Sequence, residues 1–135
     1  MHGLFKTASA LTEPIIGAAI EVHRHFGPGL LESVYEWALC KELDLRGLKL
    51  ENQQSVIIRY KQFTREDTLR FDILVEGCVL VEIKAAEGLL PIHKAQTLRY
   101  MKLLDVPLGL LLNFHAIALT KGMHRLILPG ANIPS

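Results

Sequence analysis

The chain is poor in cysteine and carries little net charge. Its two cysteines, Cys40 and Cys78, lie far apart and form no C-x-x-C pair. A zinc knuckle is therefore not encoded, and a disulfide framework is not expected. Cys40 reads as a buried helix residue and Cys78 as a turn residue, each a small hydrophobe. No Gly-rich phosphate loop is present, which argues against an NTPase. The longest apolar runs, such as Leu108–Leu112, are too short to cross a bilayer. The start, MHGLFKTASA, lacks the apolar core of a signal peptide and is followed at once by an acid and a proline. No membrane association and a cytoplasmic location are the expectation. The formal net charge of +1 excludes a broad basic coat for nucleic acid but leaves room for a local basic patch. Repeats, low-complexity tracts and linkers are also missing, so residues 1–135 read as one domain.

What is present is apolar: 50% of the residues are hydrophobic and 21% charged, enough to build one core from 135 residues. Thr12-Glu13-Pro14 resembles a helix start, with Thr12 as cap and Pro14 in the first turn. Ile15, Ala18, Ala19 and Val22 follow at helical spacing, and Gly27-Pro28-Gly29 ends the helix. A second helix is expected from about Leu30 to Arg46, stopped by Gly47. The period then changes. Gln54–Tyr60 is rich in β-branched residues, Lys61–Glu66 reads as a polar turn, and Thr68–Glu76 and Val79–Lys84 read as two further strands of an antiparallel meander. A third helix is expected over Ile92–Leu104, with residues 95, 98, 101, 103 and 104 on its buried side. Leu108–Phe114 reads as an interior strand and His124–Leu128 as an edge strand. The order α-α-β-β-β-α-β-β gives an α/β or α+β domain, a mixed sheet flanked by helices.

Two strands carry residues that do not belong on apolar strands. Asp72 stands within Leu69-Arg70-Phe71-Asp72-Ile73-Leu74-Val75. A buried lone carboxylate is costly unless it is paired or binds a metal. In Val79-Leu80-Val81-Glu82-Ile83-Lys84, alternation puts Glu82 and Lys84 on one face. A short turn at Glu76–Cys78 lets Asp72 lie across from them. Two carboxylates and a lysine suit Mg²⁺ or Mn²⁺ with substrate phosphate oxygens. Such an ion polarises phosphate and acidifies a bound water, and a lysine stabilises the charge that develops. From the strand pattern alone, a cross-strand ion pair of Lys84 with Glu82 or Asp72 is the favoured reading.

Two helical features add to this. Glu32 and Tyr35 share a face at the start of the second helix, where the helix dipole by itself favours an acid. His93, Gln96 and Tyr100 share a face of the third helix. That stripe is either an exposed face or the wall of a site that orients metal waters or a nucleic-acid backbone. Arg24, Arg59, Lys61, Arg65, Arg70, Lys94 and Arg99 are candidate phosphate contacts, each also readable as a surface charge. His23 and His25 face different ways and are not expected to share a metal. His115 and His124 read as surface or loop residues.

Taken in order, Gly29-x-x-Glu32-x-x-Tyr35, Phe71-Asp72-Ile73-Leu74-Val75, Val81-Glu82-Ile83-Lys84-Ala85 and Pro91-Ile92-His93-Lys94-Ala95-Gln96-x-x-x-Tyr100 resemble the GxxExxY family of the PD-(D/E)XK nuclease superfamily. The resemblance spans about Ile15 to Leu128. Phe71 stands where the superfamily's name has proline. The resemblance implies a restriction-endonuclease-like α-β-β-β-α-β core and a Mg²⁺- or Mn²⁺-dependent nuclease. It implies Asp72, Glu82, the Ile83 carbonyl and Glu32 as metal ligands, Lys84 as catalytic lysine, and Gln96 and Tyr100 as the Q-x-x-x-Y helix motif of one branch. The expected partner is nucleic acid, DNA rather than RNA, with a homodimer or partner protein helping to select targets. The alternative is a non-catalytic nucleic-acid-binding or assembly module on the same fold.

Overall fold

The computed structural model describes residues 1–134. Helices α1 (Phe5–Phe26) and α2 (Glu32–Leu45) precede strands β1 (Leu50–Tyr60), β2 (Phe63–Val75) and β3 (Val79–Lys84). Helix α3 (Pro91–Leu104), strand β4 (Leu108–Asn113), a short 3₁₀ turn and edge strand β5 (Met123–Ile127) complete the chain. The sheet order is β1-β2-β3-β4-β5. Pairing is antiparallel except between β3 and β4, which α3 connects as a parallel crossover. This is the mixed α+β sheet, flanked by helices, that the sequence led us to expect. No helix among the described residues is long and apolar enough to cross a membrane.

The sheet separates two cores. Ile73, Val75, Val79, Val81, Ile83, Leu110 and Leu112 pack under α1 and α2 with Ile15, Tyr35 and Leu39. Leu74 and Leu80 pack on the other side with Met101 and Leu104 of α3 and Val56 of β1. Tyr35 joins the first core to the loop before α2. Its ring stacks on Phe114 at 4.7 Å. Its hydroxyl donates to the Gly27 carbonyl and accepts from the Leu30 amide at 3.1 Å. The tyrosine of the G-x-x-E-x-x-Y segment is thus a buried strut that fixes how α2 enters the fold.

Three expectations need correction. Helix α1 begins at Phe5, not Thr12, and carries Pro14 in its interior. Thr12 Oγ1 donates to the Ser9 carbonyl at 2.7 Å rather than capping a helix start. Pro14 removes one helical hydrogen bond, but the extra turns bury Ala8 completely and pack Phe5 and Leu11 on the core, so burial outweighs the break. The polar turn read at Lys61–Glu66 is mostly strand: Tyr60 pairs with Phe63, and only Lys61 and Gln62 turn, with Lys61 at φ 53°. The buried face of α3 is also shifted. Ala95 is exposed and Thr97 is buried. Thr97 Oγ1 returns to the His93 carbonyl at 2.9 Å, so its polar atom is satisfied inside the helix. Its methyl lies against Gly109, where an added Cβ would come within 3.4 Å of Thr97 Cγ2 and 2.7 Å of Met101 Sδ.

Tyr35→Phe keeps the stacked ring but leaves the Leu30 amide and Gly27 carbonyl without their partner. We expect it to destabilise the protein by about 1–3 kcal/mol. Urea unfolding should show a lower midpoint with an unchanged slope, and an unchanged midpoint would rule out the strut.

Candidate active site

The site begins where a strand pair comes apart. Strands β2 and β3 pair from Val75↔Val79 to Ile73↔Val81 and no further. On its other edge, β2 slips register: Glu51 pairs with Leu74 and Gln53 with Arg70. Phe71, Asp72 and Ile73 therefore stand opposite Asn52 alone. This is a bulge centred on Asp72, a device that re-aims a side chain out of the regular alternation. The Asp72 carboxylate turns into the gap, where its Oδ2 accepts the Ile83 amide at 2.7 Å. The side chain replaces the strand partner that β3 has lost at that point.

Glu82 lies beside Asp72 and is only 8% exposed. Burial, then hydrogen-bonding contact with Asp72 and the charge of Asp72, push its carboxyl up to about 9, partly opposed by Lys84. Its Oε1 is buried without any hydrogen-bond partner among the described residues. A buried orphan oxygen is costly unless something of opposite charge reaches it. Lys84, half-buried on the same face of β3, makes no ion pair or hydrogen bond through its ammonium among the described residues. The ion pair that the strand pattern alone favours is therefore not formed among the described residues.

Sequence reading missed one member. Glu36, on α2, is half-buried and touches Asp72. Burial first, then the charge and hydrogen bond of Asp72, then the charge of Glu32, raise it to about 7. Glu32 is the first residue of α2 and is exposed. It adds to the negative field on Glu36 but stands at the rim, one turn farther out. The signal available in sequence was the i, i+4 spacing, which puts both acids on one stripe of the helix. A recess of 280 Å³ opens beside Asp72, lined by Cys40, Leu50, Glu51 and Asn52. The Cys40 thiol is raised by burial and by the charges of Glu36 and Asp72, and is an unreactive lining group.

The third-helix residues stand apart. Gln96 Nε2 donates to the Tyr100 hydroxyl at 3.1 Å, as one helical face should. Tyr100 packs on the core under α3 that includes Val56 and Phe71. No hydrogen bond among the described residues joins either to Asp72, Glu82 or Lys84. The Ile83 side chain is buried under α1 and α2. His93 caps α3 by accepting the Leu90 amide at 3.1 Å, and His23 hydrogen-bonds the Ala116 carbonyl at 2.7 Å, so both are structural.

The arrangement is a string of acids, Glu36, Asp72 and Glu82, crowded closely enough that two of them hold protons more tightly than usual. Among the described residues no three acidic, histidine or cysteine side chains converge as a preformed ligand set. The carboxyls lean on one another and on the Ile83 amide instead. Crowded oxygens with one orphan atom and an adjacent free ammonium fit a divalent cation.

A comparison with family models decides the affiliation: residues 9–126 match the model of the PD-(D/E)XK nuclease superfamily. The chain belongs to that superfamily. PD-(D/E)XK nucleases generally use divalent metals, and the superfamily implies a nucleic-acid substrate. No curated protein and no solved structure matches the chain.

The raised carboxyls give stability a sign with pH. Glu82 and Glu36 bind protons more tightly folded than unfolded, so the native state holds more protons between the ordinary value of 4.5 and their raised values of about 9 and about 7. Their contribution is present below pH 4.5 and is lost as pH rises through that window. In metal-free buffer, stability measured by urea should fall between pH 5 and pH 8. Glu82→Gln should flatten the fall, and an equally steep fall in that variant would contradict the assignment.

Proposed function

We propose that this PD-(D/E)XK protein is a Mg²⁺- or Mn²⁺-dependent nuclease that hydrolyses phosphodiester bonds, DNA rather than RNA, and that it belongs to the GxxExxY family within the superfamily. The observation that carries the reading is the orphan Glu82 Oε1 beside Asp72, with the unpaired Lys84 ammonium on the same strand face. The four sequence segments from Gly29 to Tyr100 support the family.

Asp72 and Glu82 are the proposed anionic ligands, with the Ile83 carbonyl as a neutral third and Glu36 or Glu32 completing the set from α2. These residues would hold the cation, which when bound would supply charge neutralisation on the phosphate and lower the pKa of a water. The protein's own groups do the rest. Asp72, braced by the Ile83 amide, fixes the ligand geometry. Lys84 points its charge at the place where negative charge grows and needs no partner removed first. Glu82 and Glu36 give up their protons to become ligands, so occupancy strengthens as pH rises. Gln96 and Tyr100 form a wall along the substrate's path. A target-selecting homodimer or partner protein fits so small a core.

A cleavage panel of single- and double-stranded DNA and RNA with Mg²⁺ and Mn²⁺ tests this. Asp72→Asn and Lys84→Ala should each lose at least about 100-fold in rate while keeping the parental fold. Glu36→Gln should cost more than Glu32→Gln, because Glu36 touches Asp72. Full activity in Asp72→Asn would sink the assignment, as would cutting that survives EDTA.

A further inference from the structure

The β1–β2 hairpin extends well beyond what the core needs. From Gln53 to Arg70 nearly every residue of both strands is exposed, with Val56 the one buried position. A hairpin this long with so little burial is not maintained for packing.

Its two faces differ. Register pairs Tyr60 with Phe63 and Ile58 with Arg65, and alternation puts Val56, Ile58, Tyr60, Phe63 and Leu69 on one face. The opposite face carries Ser55, Ile57, Arg59, Thr64, Glu66 and Thr68, with Ser55 Oγ donating to Glu66 at 2.7 Å. At the tip of the apolar face, the Tyr60 and Phe63 rings are 66% and 62% exposed and directly opposite each other. Lys61 Nζ stands 5.3 Å from the centroid of the Tyr60 ring. The hairpin between Gln53 and Arg70 has four cations, Arg59, Lys61, Arg65 and Arg70, against two carboxylates. One of these, Asp67, is held by Arg65 at 2.7 Å. The basic excess of a chain with net charge +1 is therefore concentrated on this arm.

The apolar face also leads somewhere. Val56 and Leu69 continue into the core under α3, where Tyr100 packs. Glu82 and Lys84 alternate with Leu80 onto that same side of the sheet. From Phe63 to Asp72 the strand rise is about 30 Å, the reach of several nucleotides.

We propose that the hairpin tip is a stacking platform for single-stranded nucleic acid. The Phe63 ring and the free face of Tyr60 take unpaired bases, while Lys61, which lies over the other Tyr60 face, neutralises the flanking phosphate. The strand then runs down the α3 side of the sheet toward Lys84. Two exposed rings in cross-strand register offer faces that a duplex, whose bases are already stacked, does not use. An adjacent ammonium, Lys61, with no carboxylate partner among the described residues favours a polyanion over a neutral protein partner. The platform rests on the nuclease reading only for the direction of the strand.

The test measures anisotropy of labelled single-stranded DNA and RNA 20-mers and of a DNA duplex, with the full chain in EDTA, where cleavage is not required. The variant Tyr60→Leu/Phe63→Leu keeps apolar bulk and removes the π faces. It should weaken single-strand binding at least about fivefold and duplex binding by less than about twofold. Lys61→Ala, at an exposed turn, should reduce the salt slope on single strands by about 0.7. Single-strand affinity unchanged in the leucine variant overturns the proposal, as does an equal loss on duplex. Loss of self-association in sedimentation without loss of nucleic-acid binding also overturns it, since the rings would then contact a second copy. Because binding is read without metal, a failure here leaves the cleavage result for Asp72→Asn standing, and the reverse holds too.

Discussion

One hydrogen bond organises the site: Asp72 Oδ2 accepting the Ile83 amide across the gap between β2 and β3. The bulge that aims Asp72 leaves the β2-side edge of β3 unpaired beyond Val81. A backbone amide buried there would be costly if unpaired. The carboxylate satisfies it, so sheet integrity and the placement of a negative charge depend on the same contact. That charge then sets the state of its neighbours. Glu82 and Glu36, both touching Asp72, are pushed toward their protonated forms by burial and by that charge. Lys84 makes no ion pair among the described residues.

A site built this way is poised rather than satisfied. One carboxyl oxygen of Glu82 is orphaned among the described residues, and Glu82 and Glu36 hold their protons more tightly than usual. The cost of crowding is met by the rigidity around it. Tyr35 pins the entry to α2, the β3–β4 parallel ladder runs the full length of β3, and both faces of that strand are covered by helices. The open hairpin at the other end of β2 has none of this support, which is consistent with a part that meets a ligand rather than a core.

Much of this was legible in the residues. Strand β3 is legible with its observed bounds, because a short, largely apolar run follows directly on the Gly77-Cys78 turn. The interior strand at Leu108 was equally plain, since it is buried along its length. Asp72, Glu82 and Lys84 stood out as polar residues on apolar strands. The failures have physical causes. Pro14 resembles a helix start, and only tertiary burial of Ala8 shows that the helix passes through it. The outer half of the hairpin has no buried face, so no alternation marks it as strand. The helix-start motif marks Glu32, whereas it is the packing of α2 against β2 that brings Glu36 to Asp72. Gln96 and Tyr100 share a face as read, but their link to the acids is not made by direct contact.

The central claim is that Asp72 and Glu82 together form a cation site. Calorimetric titration of the full chain with Mn²⁺ at pH 8, compared with Glu82→Gln and Asp72→Asn, addresses it most directly. Saturable binding in the parent that is lost in both variants is the expected result. No binding to the parent, or equal binding in Glu82→Gln, would contradict the account.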